Sequence, residues 1–317
     1  MNGLLKRLFP CFLLLFGAAA TLTASEAQNA FNEGAKFYRA GKFKEAIGAY
    51  DRAIKAAPTA AEPYNNRGLA RYKLGQSEAA IKDYDEAIKL NPKLTDAYFN
   101  RGNAHLAQKQ YESAIKDYDE VIKQGPKSAL ALRQRGLAYS GSGQFEKALQ
   151  DLNQAQKLNP KDPETYYSRG LAYFGSGQFE KALQDFNQAQ KLNPKDPEIY
   201  YSRGLVYRRL GKLDQAVQDY TEAIKLNPKN AASYNNRANA YSLLGKYDNA
   251  LKDYDHALKL EPKNARIYAN RGAVKLRLGK SDEGKKDLHT AVELDPSLKD
   301  TIDPLLGASK ILPSKSE

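Results

Sequence analysis

In 317 residues the chain has one cysteine, one methionine, three histidines and no tryptophan. The cysteine, Cys11, lies in an apolar leader, so nothing beyond it can form a disulfide, a thiol nucleophile or a cysteine metal centre. A chain without thiols suits an oxidising compartment. His105, His256 and His289 are far apart, and no pair has the spacing of a zinc-binding helix. No glycine-rich phosphate loop follows a strand; the Gly-Ser-Gly runs at 141–143 and 175–177 read as turns between helices. Carboxylates are plentiful but recur at fixed spacing, whereas a catalytic dyad needs a unique pair in a special environment. No catalytic residue, metal site or cofactor is expected, and no enzyme.

The first 27 residues differ from the rest. Lys6 and Arg7 precede an apolar run, Leu8 to Ala20, that holds one proline and no charge. Ser25-Glu26-Ala27 then offers small residues for cleavage before Gln28. That is the layout of a secretory signal peptide, covering 1–27. The run is shorter than the roughly 20 residues of a spanning helix, which favours cleavage over retention as an anchor. Secretion in turn argues against nucleic acid as the partner of a chain with net charge +12. Much of that excess is periodic, with lysines such as Lys89, Lys123 and Lys225 three residues before a proline. Cations there match the negative pole of a helix C-terminus and read as a solvated row.

What the chain does have is a clock. Pro58, Pro92, Pro126, Pro160, Pro194, Pro228, Pro262 and Pro296 are each 34 residues apart. Such a period means one structural unit copied about eight times, each too small to bury its apolar face alone. With proline placed at slot 32, the copies start at Ala27, Ala61, Thr95, Ala129, Pro163, Pro197, Ala231 and Ala265. Slot 8 is glycine, with Ala238 the exception, and slot 20 is alanine, with Gly284 the exception. Slot 24 is large (Tyr50, Tyr84, Tyr118, Leu152, Phe186, Tyr220, Tyr254, Leu288). Glycine near slot 15 ends a first amphipathic helix, and the proline ends a second. Arg135 to Gly170 repeats as Arg169 to Gly204 with three differences, which reads as a recent duplication.

These slots resemble the tetratricopeptide repeat, a helix-turn-helix unit of 34 residues, over about Gln28 to Leu298. Tyrosine at slot 4 (Tyr64, Tyr98, Tyr166, Tyr200, Tyr234, Tyr268) replaces the tryptophan common in that family. The resemblance implies an all-α, right-handed superhelical solenoid of eight repeats whose concave groove is lined by the first helix of each. It also implies that slots 2, 5, 6, 9, 12 and 13 face the groove.

Two further rows recur. Slot 7 is arginine and slot 23 aspartate in copies two to eight (Arg67 with Asp83, through Arg271 with Asp287). Copy one has neither, carrying Glu33 and Ala49. Their joint absence predicts a within-repeat ion-pair ladder of structural purpose. Slot 6 reads Asn32, Asn66, Asn100, Gln134, Ser168, Ser202, Asn236 and Asn270. It is similar to the asparagine ladder in the repeat domain of O-GlcNAc transferase, which implies a grip on extended peptide backbone, interrupted in copies four to six. The same stretch is apolar at slots 5, 9 and 12: Phe99, Leu137, Tyr167, Leu171, Phe174, Tyr201 and Leu205, with Arg133, Arg208 and Arg209 nearby. These side chains form either a partner-binding stripe or packing between adjacent first helices. The basic residues favour a protein or peptide partner with acidic or free carboxylate groups. The family's carboxylate clamp is incomplete: Asn103 and Asn239 fill slot 9, but Phe99 and Asn235 stand where slot 5 needs lysine.

From Lys299 the period breaks. Asp303-Pro304 is expected to start a short capping helix with Leu305 and Leu306 over the last repeat, with disorder beyond Gly307. The chain thus reads as a periplasmic or secreted scaffold that holds a protein segment in its groove and serves assembly of envelope or secreted complexes. The alternative is a structural assembly factor acting through its convex face or by self-association. Membrane association is not expected after cleavage, and the oligomeric state is left open.

Overall fold

The computed structural model describes residues 9–308. They form helices and turns, with no strand among them. The chain divides into two compact units that part at Pro160, one of the clock prolines. In the first unit the helices are α1 (Phe9–Arg39), α2 (Phe43–Ala56), α3 (Ala61–Lys73), α4 (Ser77–Leu90), α5 (Thr95–Ala107), α6 (Tyr111–Gln124), α7 (Ala129–Gly141) and α8 (Phe145–Leu158). In the second they are α9 (Pro163–Gly175), α10 (Phe179–Leu192), α11 (Pro197–Arg209), α12 (Leu213–Leu226), α13 (Ala231–Leu243), α14 (Tyr247–Leu260), α15 (Ala265–Arg277), α16 (Ser281–Leu294) and, after a 3₁₀ turn at Pro296–Leu298, α17 (Lys299–Ala308). Odd-numbered helices are the first of each pair. Within a unit each first helix touches its own second helix, the preceding second helix and the next first helix.

The pairs form because each second helix carries a narrow stripe of small and large residues. In α4 the buried residues are Ala80, Asp83, Tyr84 and Ala87, and the same slots are buried in the other second helices. Their spacing of three and four keeps one face toward the core. The first helix meets that stripe with a glycine. A Cβ on Gly204 would stand 2.7 Å from the Tyr220 ring, and one on Gly34 would stand 2.6 Å from Tyr50. The aromatic at slot 24 therefore occupies the space that a side chain at slot 8 would take.

Each end of a helix has its own device. Ser128, Asp162, Asp196, Asn230 and Asn264 cap first helices by accepting a backbone N–H. Second helices have no side-chain cap but open with an acid, such as Glu78, Glu112 or Asp214, beside the positive helix pole. The tyrosine at slot 4 ties down the proline turn: the hydroxyls of Tyr64, Tyr200 and Tyr268 donate to the carbonyls of Pro58, Pro194 and Pro262 at 3.2, 3.0 and 3.4 Å.

The C-terminal expectation needs correction. The capping helix α17 begins at Lys299, in step with the period, and Pro304 lies inside it rather than at its start. The main plug is Ile302, 2% exposed against Leu288 and Ala291 of α16; Leu306 is half-buried and Leu305 exposed. Burying an isoleucine contributes about 1.5–3 kcal/mol, comparable with the roughly 3 kcal/mol cost of proline in a helix interior. A ninth first helix thus closes the apolar end of α16. The expected disorder beyond Gly307 concerns residues that, past Ala308, lie outside those described. At the other end α1 runs without a break across the expected cleavage point, and no helix among the described residues is long and apolar enough to cross a membrane.

Seven of the turns between paired helices contain a glycine with φ between +72° and +78°. In copy three the slot holds Lys109 at φ +59°. A left-handed residue with a Cβ costs roughly 1–2 kcal/mol, part of which glycine returns as chain entropy. Lys109→Gly should stabilise the protein by about 0.5–1 kcal/mol in thermal or urea unfolding, and Gly75→Ala should destabilise it by a similar amount; a neutral or opposite result for Lys109→Gly would count against this account of the turn.

Candidate functional site

The expected ion-pair ladder is present. In copies two to eight the slot 7 arginine meets the slot 23 aspartate of its own repeat at 2.6 to 2.7 Å. Nε and one Nη engage the two carboxylate oxygens in a fork, as for Arg135 with Asp151 and Arg203 with Asp219. The aspartates are 3–7% exposed, so these are not weak surface pairs. Copy one, which lacks both residues, has an exposed Arg52–Glu33 pair instead.

Sequence reasoning missed the arginine's other contacts. Its remaining Nη reaches back to slot 25 of the preceding repeat: Arg67 to Asp51, Arg101 to Asp85 and Arg135 to Asp119 in the first unit, and Arg203 to Asn187, Arg237 to Thr221 and Arg271 to Asp255 in the second. Every slot 25 partner can accept a hydrogen bond, and that shared property was the available signal. The guanidinium also lies 5.4 to 5.8 Å over the slot 4 tyrosine ring, a favourable cation–π position. Hydrogen bonding to Asp151, opposed by burial and aided by Asp119, holds the Arg135 pKa above its ordinary value. The guanidinium therefore stays charged.

The asparagine row is placed differently from a row of unengaged peptide grips. Asn100 donates to Asn65 at 3.0 Å and Asn270 donates to Asn235 at 3.2 Å. Asn236 donates to the Tyr201 hydroxyl at 3.0 Å and to the Ala232 carbonyl, and Tyr167 shares a hydrogen bond with Ser202 at 3.1 Å. Slot 5 of one repeat thus bonds slot 6 of the next, which stitches neighbouring first helices together. Asn66 accepts from Asn65 within one helix, Gln134 reaches Asn103, and Asn32 is exposed and accepts from Gln28. Ser168 and Ser202 are buried.

The apolar stripe divides between the units. Phe99, Arg133 and Leu137 belong to the first and are half-buried, with the Phe99 ring 5.9 Å from that of Tyr118. Tyr167, Leu171, Phe174, Tyr201, Leu205 and Arg208 belong to the second and are also half-buried, while Arg209 is exposed. Tyr167 packs on Phe186, Phe174 on Phe179 and Tyr201 on Tyr220, at 5.8, 5.8 and 6.1 Å between ring centres. One side of each ring supports the core and the rest remains open. Burial pushes the Tyr167 and Tyr201 hydroxyls above the ordinary tyrosine range, so both stay protonated. On α9 and α11 slots 5, 9 and 12 lie four and three residues apart, so each helix presents them on one face.

Repeated helix hairpins with these small-residue, arginine and aspartate slots define a tetratricopeptide array, and comparison with known proteins agrees. The family profile of the Cilia and flagella-associated protein 70 C-terminal domain matches residues 60–240, more than half of the chain. Profiles of single tetratricopeptide repeats match 34–75, 231–264 and 253–286. The chain belongs to this family of tetratricopeptide repeat proteins. A tetratricopeptide repeat protein from Parabacteroides merdae is 19% identical with a TM-score of 0.65, covering 84% of this chain and 99% of its own. The APC/C hetero-tetramer Cut9-Hcn1 is 17% identical with the same TM-score, covering 84% of this chain and 52% of its own. MamA from Desulfovibrio magneticus RS-1 is 25% identical with a TM-score of 0.51, covering 54% of this chain and 97% of its own. No curated protein sequence matches the chain. Arrays of this fold mediate contacts between proteins.

Removing one partner of a buried ion pair costs about 3–5 kcal/mol, whereas replacing both with apolar residues is often neutral or stabilising. Arg135→Met should therefore lower stability by about that amount in urea unfolding, and Arg135→Met/Asp151→Leu should recover most of it. A double variant as unstable as the single one would show that the fork does more than neutralise Asp151.

Proposed function

We propose that this protein is a periplasmic or secreted scaffold that holds an extended or helical segment of another protein along the first helices of its array. It mediates assembly of envelope or secreted complexes and has no catalytic role of its own. One observation carries the reading. In α9 and α11 slots 5, 9 and 12 hold Tyr167, Leu171, Phe174, Tyr201 and Leu205 half-exposed, where α13 has Asn235, Asn239 and Ser242. Packing alone demands no such change, since α13 builds the same hairpin with polar residues in those slots. A face of aromatic and aliphatic side chains beside polar groups suits a protein segment. Secretion is supported by the basic, apolar and small-residue order of residues 1–27.

Leu171 and Leu205 make no side-chain hydrogen bond, so changing them spares the ladder between first helices. In recovery of partners from an envelope fraction, Leu171→Gln/Leu205→Gln should lose captured protein by about tenfold or more, the equivalent of some 1.4 kcal/mol, while its thermal melt shows a folded array. A folded variant that captures the same partners in the same amount would sink the reading. Protein recovered from the secreting cells should begin at Gln28 on N-terminal sequencing; an intact residue 1–27 would instead indicate an anchor.

A further inference from the structure

Among residues 161–308 the half-buried cations of the first helices are, Arg208 apart, committed to carboxylates. Arg169, Arg203, Arg237 and Arg271 hold their aspartates, and Lys275 joins Asp287 at 3.0 Å. Arg208 on α11 is different. It is half-buried, makes no ion pair, and its Nε is enclosed without a hydrogen-bond partner. Beneath it the Tyr220 hydroxyl is enclosed and likewise meets no acceptor. In copy seven the equivalent hydroxyl, Tyr254, donates to Asn239 at 2.7 Å. Copy six has Leu205 in the slot of that asparagine, and the Tyr220 hydroxyl lies against the Arg208 guanidinium instead.

Arg208 also stands in a specific place. Tyr201, Leu205 and Arg208 are spaced by four and three residues, so they share one face of α11. Arg208 is the one cation at slots 5, 9 and 12 of α9, α11, α13 and α15. The Tyr201 hydroxyl accepts from Asn236, which leaves its own proton to donate outward. The face therefore offers an aromatic hydroxyl, an aliphatic side chain and a guanidinium in sequence. A partly dehydrated guanidinium without a carboxylate binds an oxyanion more strongly than a hydrated one, and its planar fork matches a carboxylate.

We infer that Arg208 anchors an aspartate or glutamate side chain of the protein segment held along α9, α11 and α13, with the neighbouring residues of that segment apolar against Leu171, Phe174 and Leu205. This rests on the segment-binding function proposed above and adds its chemical specificity. A side-chain carboxylate fits better than a chain terminus because first helices flank α11 on both sides, α9 and α13, so a bound segment continues past Arg208.

The test uses the mature chain and three arrays of random nine-residue peptides. One is acetylated and amidated with a central glutamate, the second is the same with glutamine, and the third has central glutamine with a free C-terminal carboxylate. Wild type should prefer the glutamate array by roughly tenfold or more, the range of a hydrogen bond to a charged group. Arg208→Gln should abolish that preference without changing the thermal melt or capture of the glutamine array, and Arg208→Lys should restore part of it. Equal binding of wild type to the first two arrays, or a preference that survives Arg208→Gln, overturns the role of Arg208 but leaves segment binding intact. A preference for the free C-terminus overturns the choice of a side-chain carboxylate. Failure of every array to bind wild type removes the segment-binding reading and this inference with it.

Discussion

The arginine at slot 7 is the contact on which each repeat from the second to the eighth closes. The Arg271 guanidinium, for example, holds the buried Asp287 of its own second helix, Asp255 on the preceding second helix and the ring of its own slot 4 tyrosine, Tyr268. It therefore joins elements that local sequence cannot bring together. A carboxylate only a few per cent exposed is tolerated because the fork satisfies both of its oxygens. The geometry that lets it do so depends on everything else in the unit: glycine beneath the aromatic at slot 8, alanine at slot 20, and a turn that returns the second helix at the right distance. Copy one replaces the pair with an exposed one, Arg52 with Glu33.

Within each unit, neighbour contacts dominate, so stability is closer to a sum of repeats and interfaces than to one indivisible core. Slot 5 to slot 6 hydrogen bonds are a second inter-repeat link, on the first-helix side, while the arginine links through the second helices. The ends need separate treatment, and α17 supplies it at the C-terminus by burying Ile302 without adding a new second helix. The cost of a proline inside that helix is accepted where an apolar face must be closed.

Scaffold and binding face separate by periodicity. The arginine, aspartate, alanine and proline slots recur and were legible as structure, because a strict period at fixed spacing means one packing solution used repeatedly. The residues of α9 and α11 that break the period were legible as candidates. Their state was not. Whether Tyr167 or Leu205 is open or enclosed depends on the neighbouring helix, and the structure leaves them half-buried, with rings supported from below. The asparagine row shows the same limit. Its spacing resembled a peptide grip, but an amide can bond a neighbouring repeat as readily as a ligand, and several of these do. The slot 25 acceptors went unread because aspartate, asparagine and threonine share a function at that place without sharing an identity.

By itself the sequence determined the all-helical repeat, its register, the turn glycines and the pairing of Arg with Asp inside a copy. All of these follow from local propensity and from contacts that recur at one fixed separation, so a period of 34 residues suffices to expose them. Only the tertiary structure decided that α17 stays in step with the repeats, that first helices are laced by slot 5 and slot 6, and that Arg208 is left without a carboxylate above the enclosed hydroxyl of Tyr220. These depend on which side chain of one helix meets which of another. That is settled by packing in three dimensions, where a single exchange such as leucine for asparagine at slot 9 redirects a buried hydroxyl and leaves a cation open to a partner.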